Sequence, residues 1–101
     1  MEKPKKIVWT APAKNDLKEI FDFISEFSHI TADKTIDRII EKTSFLIVPG
    51  FENSGQIDDI NPNYRHLVEG NYKILYKVHS PEIVIYAVFD TRRDHKQLEK
   101  L

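Results

Sequence analysis

Two rhythms of apolar residues divide the chain. Between Ala13 and about Phe27, the residues Leu17, Ile20, Phe21, Ile24 and Phe27 recur at helical spacing, with Asn15, Lys18, Glu19, Asp22 and Glu26 largely on the other side. That pattern predicts an amphipathic helix with one core face. Ile36, Ile39, Ile40 and Thr43, running on to Leu46 or Ile47, predict a second one. From Tyr64 the rhythm becomes Val, Ile and Tyr in short runs, over residues 64–69, 72–78 and 83–89, which reads as three strands. Residues 6–10, Lys-Ile-Val-Trp-Thr, form one more such run and predict a first strand at a sheet edge.

Punctuation agrees with these elements. Pro12 suits the first turn of a helix, where its missing donor costs nothing, with Thr10 or Ala11 at the entry position and Thr10 the better cap. Ser28-His29-Ile30 interrupts the pattern, and Thr31 is placed to cap the second helix with Asp33 in its first turn. A connection of about three residues makes the two helices an antiparallel hairpin, which Pro49-Gly50 ends. Residues 51–63 read as a loop with a short extended piece at Gln56-Ile57. Gly70-Asn71 predicts a type I′ or II′ hairpin, and the His79-Ser80-Pro81-Glu82 group a second one. Residues 94–101 could add a helical turn or two through Leu98 and Leu101. The expected fold is α+β, in the order β-α-α-β-β-β, with an N-terminal strand and a helical hairpin packed on one face of a three-stranded antiparallel meander.

A chain of 101 residues fits one domain, residues 1–101. With 41% hydrophobic and 31% charged residues it has the balance of a packed globule. It contains no cysteine, which excludes a disulfide framework and thiolate zinc, and suits a reducing compartment, with cytoplasm the expected location. No run approaches the ~20 apolar residues of a membrane span, so no membrane partner is expected. A net charge of −1 argues against nucleic acid as the main partner.

Candidate chemistry centres on cations. Arg65 early in the second strand and Arg92-Arg93 after the last could lie on the same side of the sheet and bind a phosphate or carboxylate. The alternative is that Arg65 pairs with Asp90 or Glu69 while Arg92 and Arg93 are solvated. His29, His66, His79 and His95 make no metal-ligand spacing, so no metal is expected, and only His95, near the arginine pair, is considered for proton transfer. Asp58-Asp59, beside Asn61 and Pro62, read as turn formers. Tyr72, Tyr76 and Tyr86 read as sheet-packing residues. No catalytic triad, phosphate loop or dinucleotide fingerprint is present, and no cofactor is implied.

Four motifs in order carry a resemblance. These are VWT-x-x-A-x-x-DL-x-x-I-x-x-FI at residues 8–24, Pro49 followed by Gly55, R-x-L-x-x-G-x-Y-x-I-x-Y at residues 65–76, and V-x-D-x-RRD at residues 88–94. Together they resemble the RelE/ParE superfamily of bacterial toxins. The resemblance implies a toxin of a type II toxin–antitoxin module, bound as a hetero-oligomer by a cognate antitoxin. Members resembling ParE inhibit DNA gyrase by protein contact, whereas those resembling RelE cut messenger RNA on the ribosome. The D-x-RRD ending, the long helical hairpin and the balanced charge favour the ParE-like branch. On the RelE-like alternative, Arg65 corresponds to a sheet arginine that aids catalysis, Arg92 falls near a second phosphate-binding arginine, and His95 or a tyrosine would carry the proton. Such a nuclease also needs an acid–base pair. Asp90 stands where many relatives have histidine, and Gln56 replaces a basic residue, which leaves a degenerate toxin that serves only as a binding module as a third reading.

Overall fold

A computed structural model describes residues 5–92. Strand β1 (Lys6–Trp9) leads into helix α1 (Ala11–Ser25), α2 (His29–Ser44) and a short 3-10 turn at Phe45–Ile47, followed by β2 (Gln56–Ile57), β3 (Arg65–Glu69), β4 (Tyr72–His79) and β5 (Glu82–Asp90). The strands form one sheet in the order β1-β5-β4-β3-β2. The three predicted strands are its antiparallel centre, β1 runs parallel to β5 at one edge, and β2 pairs antiparallel with β3 at the other. The expected meander is therefore widened on both sides into a mixed five-stranded sheet.

Local chemistry accounts for most boundaries. The Thr10 Oγ1 accepts the Ala13 N–H at 3.2 Å, with Pro12 in the first turn, and the same hydroxyl donates back to the Ile85 carbonyl at 3.0 Å, so one residue caps α1 and ties it to the sheet. Helix α2 starts earlier than the Thr31 cap expected. Ser28 is the cap, held extended, and its hydroxyl accepts the Thr31 N–H at 3.1 Å. A second serine-class residue three positions upstream wins because the short inter-helix link already turns the chain there. Gly70 has φ +60°, and no described residue other than glycine has positive φ, so Gly70-Asn71 has the positive-then-negative pattern of a type II′ turn. The β4–β5 link is tighter than the four residues expected, because His79 and Glu82 are themselves paired. The expected helical turn over residues 94–101 lies outside the described residues.

The helices cover one face of the sheet. Ala13, Ile39, Leu46, Ile74, Tyr76, Ile83, Ile85 and Val88 form the core there, with Leu17 and Ile20 packed against them. Phe27 was expected on this face but is 79% exposed, since α1 ends at Ser25 and the chain has left helical register. It stacks edge-on against Phe23 at the tip of the hairpin. The opposite face carries a smaller cluster of Tyr64, Leu75, Ala87 and Phe89, with Ile60 and Tyr86 against it. A bulge in β5 opposite Leu75 and Tyr76 re-phases the strand, so Ile85 and Val88 both meet the helices while Tyr86, Ala87 and Phe89 serve the other side.

Candidate functional site

The strand register separates the arginines. Arg65 pairs with Tyr76 and Asp90 with Tyr72 along the same strand, four residues or roughly 13 Å apart at a rise of about 3.3 Å per residue. Arg92 lies further out still. The two expected partners in an anion site therefore stand toward opposite ends of the sheet. Arg93 and His95 lie outside the described residues.

Each arginine has its own local role. The Arg65 Nη1 donates to the Gly55 carbonyl at 2.8 Å and to Asn53 at 3.4 Å, so it holds the loop before β2 and pairs with neither Asp90 nor Glu69. The same loop is fixed by the Gly55 N–H donating to the Tyr76 hydroxyl at 2.9 Å, and burial pushes that phenol up from its ordinary value. A Cβ on Gly55 would sit 2.6 Å from the Tyr76 hydroxyl and 2.7 Å from the His66 carbonyl, which explains the glycine of the second motif by close approach. Arg92 grips Asp90 through Nε at 3.0 Å and Nη2 at 2.8 Å, a bidentate pair in which the carboxylate also accepts the Arg92 backbone N–H.

A charged cluster built on the turn at Asp58 closes the second face of the sheet. Asp58 does form the turn, accepting the Ile60 and Asn61 N–H groups at 3.1 and 2.7 Å. Its carboxylate is also fully buried, 3.1 Å from Lys73 Nζ and 2.8 Å from His66 Nδ1, the latter close in distance but poorly directed for a ring N–H bond. Lys73 reaches Asp59 as well, at 2.9 Å. Burial alone would raise the Asp58 pKa, yet the Asn61 N–H and the Lys73 ammonium together hold it below its ordinary value. For Lys73, burial works against the charge and the two carboxylates outweigh it, raising its pKa. The sequence signal was available in the hairpin: His66 faces Leu75 and Lys73 faces Val68, so strand alternation puts both polar groups on one face.

Asp58, Asp59 and His66 bring three ligand-type atoms within 4.8 Å of one another. The Lys73 ammonium touches both carboxylates, so within the described residues the chain supplies this cluster's cation itself.

Two further surfaces matter. Beyond the end of β1, the edge of β5 is met by Asp16 from α1, whose Oδ2 accepts the Val88 N–H at 3.0 Å. Burial raises this carboxyl above its ordinary value, with that bond opposing and Glu19 adding to the rise. Beside it, Ile20, Phe23, Tyr72, Val88 and Phe89 line a small cleft between α1 and β5. At the other end of the sheet, an open groove of about 370 Å3 includes Asn63, Tyr64, Arg65, Lys77, Val78 and His79. No helix among the described residues is long and apolar enough to cross a membrane.

Comparison with known proteins matches this arrangement to one family. A search of curated protein sequences gave no match. The fold is similar to that of a solved chain from the chromosomal ParDE TA system from P. aeruginosa, with a TM-score of 0.74 and 22% identity, covering 86% of this chain and 96% of that one. Residues 7–95 match the family described as ParE toxin of type II toxin-antitoxin system, parDE. With the motifs, the sheet order and the match extending over nearly the whole sequence, the chain belongs to the ParE toxin family of type II toxin–antitoxin systems.

Proposed function

We propose that this toxin acts by protein–protein contact on DNA gyrase and is neutralised by a cognate antitoxin that covers its apolar surface. The observation that carries the contact reading is the separation and engagement of the cations. Arg65 and Arg92 stand toward opposite ends of the sheet, Arg92 is held by Asp90, and Lys73 is neutralised between Asp58 and Asp59. Phosphoryl chemistry on RNA needs cations converging on one phosphate beside an acid and a base. For the antitoxin, the cleft beside α1 and the exposed Phe23, Phe27 and Ile30 of the hairpin offer an apolar surface next to the β5 edge, suited to a helix or strand of a partner.

The test is direct. Purified toxin is expected to block supercoiling by gyrase in vitro, and its expression to arrest growth unless a cognate antitoxin is co-expressed. Messenger RNA should remain intact by primer extension. Cleavage within codons, lost in Arg65→Ala, would instead establish the ribosome-dependent nuclease. Tight antitoxin binding with neither growth arrest nor gyrase inhibition would make the chain a binding module only.

A further inference from the structure

The groove at the far end of the sheet combines two features that point to a ligand. The first is charge. Of the ten residues lining it, Arg65 and Lys77 are cationic and none is Asp or Glu, in a chain whose net charge is −1. Among the described residues Lys77 meets aromatic faces and no carboxylate, its Nζ 4.4 Å from the Tyr64 ring centre and 5.7 Å from that of Tyr86. Arg65, on the Tyr76 face of the same groove, spends Nη1 on neutral carbonyls and meets no carboxylate among the described residues.

The second feature is backbone. The β3–β4 ladder stops at Arg65–Tyr76, whereas β4 continues to His79 paired only with β5. Alternation in an antiparallel ladder aims the Val78 N–H and C=O to the side that β3 no longer covers, and Val78 lines the groove. An open strand edge accepts an extended chain by main-chain hydrogen bonding.

We propose that this groove binds an acidic extended segment of a partner protein, which adds to the β4 edge at Val78 and sets its carboxylates against Lys77 on the Tyr64 face of the sheet. Peptide is favoured over single-stranded nucleic acid because bases need open aromatic faces. Here Tyr64 and Tyr76 are 8% and 0% exposed, and Lys77 already covers Tyr64. The same cation turns away a second basic edge and admits an acidic one. This site is separate from the α1–β5 cleft and does not depend on the gyrase reading.

A fluorescein-labelled octapeptide of alternating Val and Glu, which puts its carboxylates on one face of a strand, tests the site by anisotropy at low salt. Binding is expected, weakened at least about fivefold in Lys77→Gln, the scale of one charge-assisted contact, and unchanged in Lys18→Gln on the outer face of α1. The Val78 amide should exchange more slowly in the complex. A matching Lys–Val octapeptide and an oligouridine decamer should not bind. No binding by the Glu peptide, equal binding by Lys77→Gln of unchanged thermal stability, or tighter binding by the oligouridine would each overturn the proposal.

Discussion

The two faces of the sheet are closed by opposite chemistry. Toward the helices, Ile39, Leu46, Ile74, Ile83 and Ile85 are fully buried in an apolar cluster. On the other face a loop is drawn down by Tyr64 and Ile60 but locked by Asp58, His66 and Lys73. Apolar packing is non-directional and supplies most of the folding free energy. The ionic lock is directional: it fixes where the loop sits and withdraws Lys73 from the surface, while a buried charge left without its partner is costly. The helix face should therefore govern how stable the toxin is, and the loop face how its stability depends on pH and which cations a partner meets.

The largest expected effect breaks the apolar side. Ile39→Ala should cost about 4 kcal/mol, a large part of the total for a small domain, with little dependence on pH in denaturant titrations. Asp58→Asn should cost about 3 kcal/mol at neutral pH, because Lys73 and His66 lose a buried anion. The folded-state pKa of Asp58 lies below the 3.8 of the unfolded carboxyl, so its stabilisation is present above that value and is lost as pH falls through the depressed one. The gap between variant and parent should therefore close in strong acid, and a constant gap would show that the lock is not ionic.

Gly55→Ala probes the seam between the faces. The new methyl group collides with the Tyr76 hydroxyl and with the backbone of β3, which cannot swing aside, for an expected loss of about 2 kcal/mol by thermal unfolding. The smallest effect should come from Asp16→Asn, with the opposite sign. The Asp16 pKa is raised in the fold, so wild-type stability declines as pH rises from 3.8 through the raised value. Asparagine keeps an oxygen for the Val88 N–H and removes the ionisation. A gain within about 0.5 kcal/mol at neutral pH is expected, and a clear loss would mean that the charge itself holds the β5 edge.

Much of the first and third motifs can be read physically once these contacts are known. Thr10 caps α1 and grips β5, Ala13 is buried, Asp16 meets Val88, and Leu17 and Ile20 fill the core beneath. In the third motif, Gly70 turns the hairpin and Ile74 and Tyr76 face the helices. The candidate site was less legible. Asp58 was visible as a turn former because its N–H acceptor role involves residues two and three positions away, but its partner Lys73 lies fifteen positions on, and no local signal encodes burial by a loop folding over.

Apolar period, caps and glycines act over a few residues, which is why the helical hairpin, the central hairpins and the edge placement of the first strand could be read from the sequence, while Gln56-Ile57 showed only as a short extended piece and not as a paired fifth strand. Tertiary structure alone decided that β1 runs parallel beside β5, that Phe27 faces solvent, that Asp58 and Lys73 share a buried cluster, and that Arg65 and Arg92 stand apart. Those outcomes depend on strand register and loop docking, which are set by contacts between residues far apart in the chain.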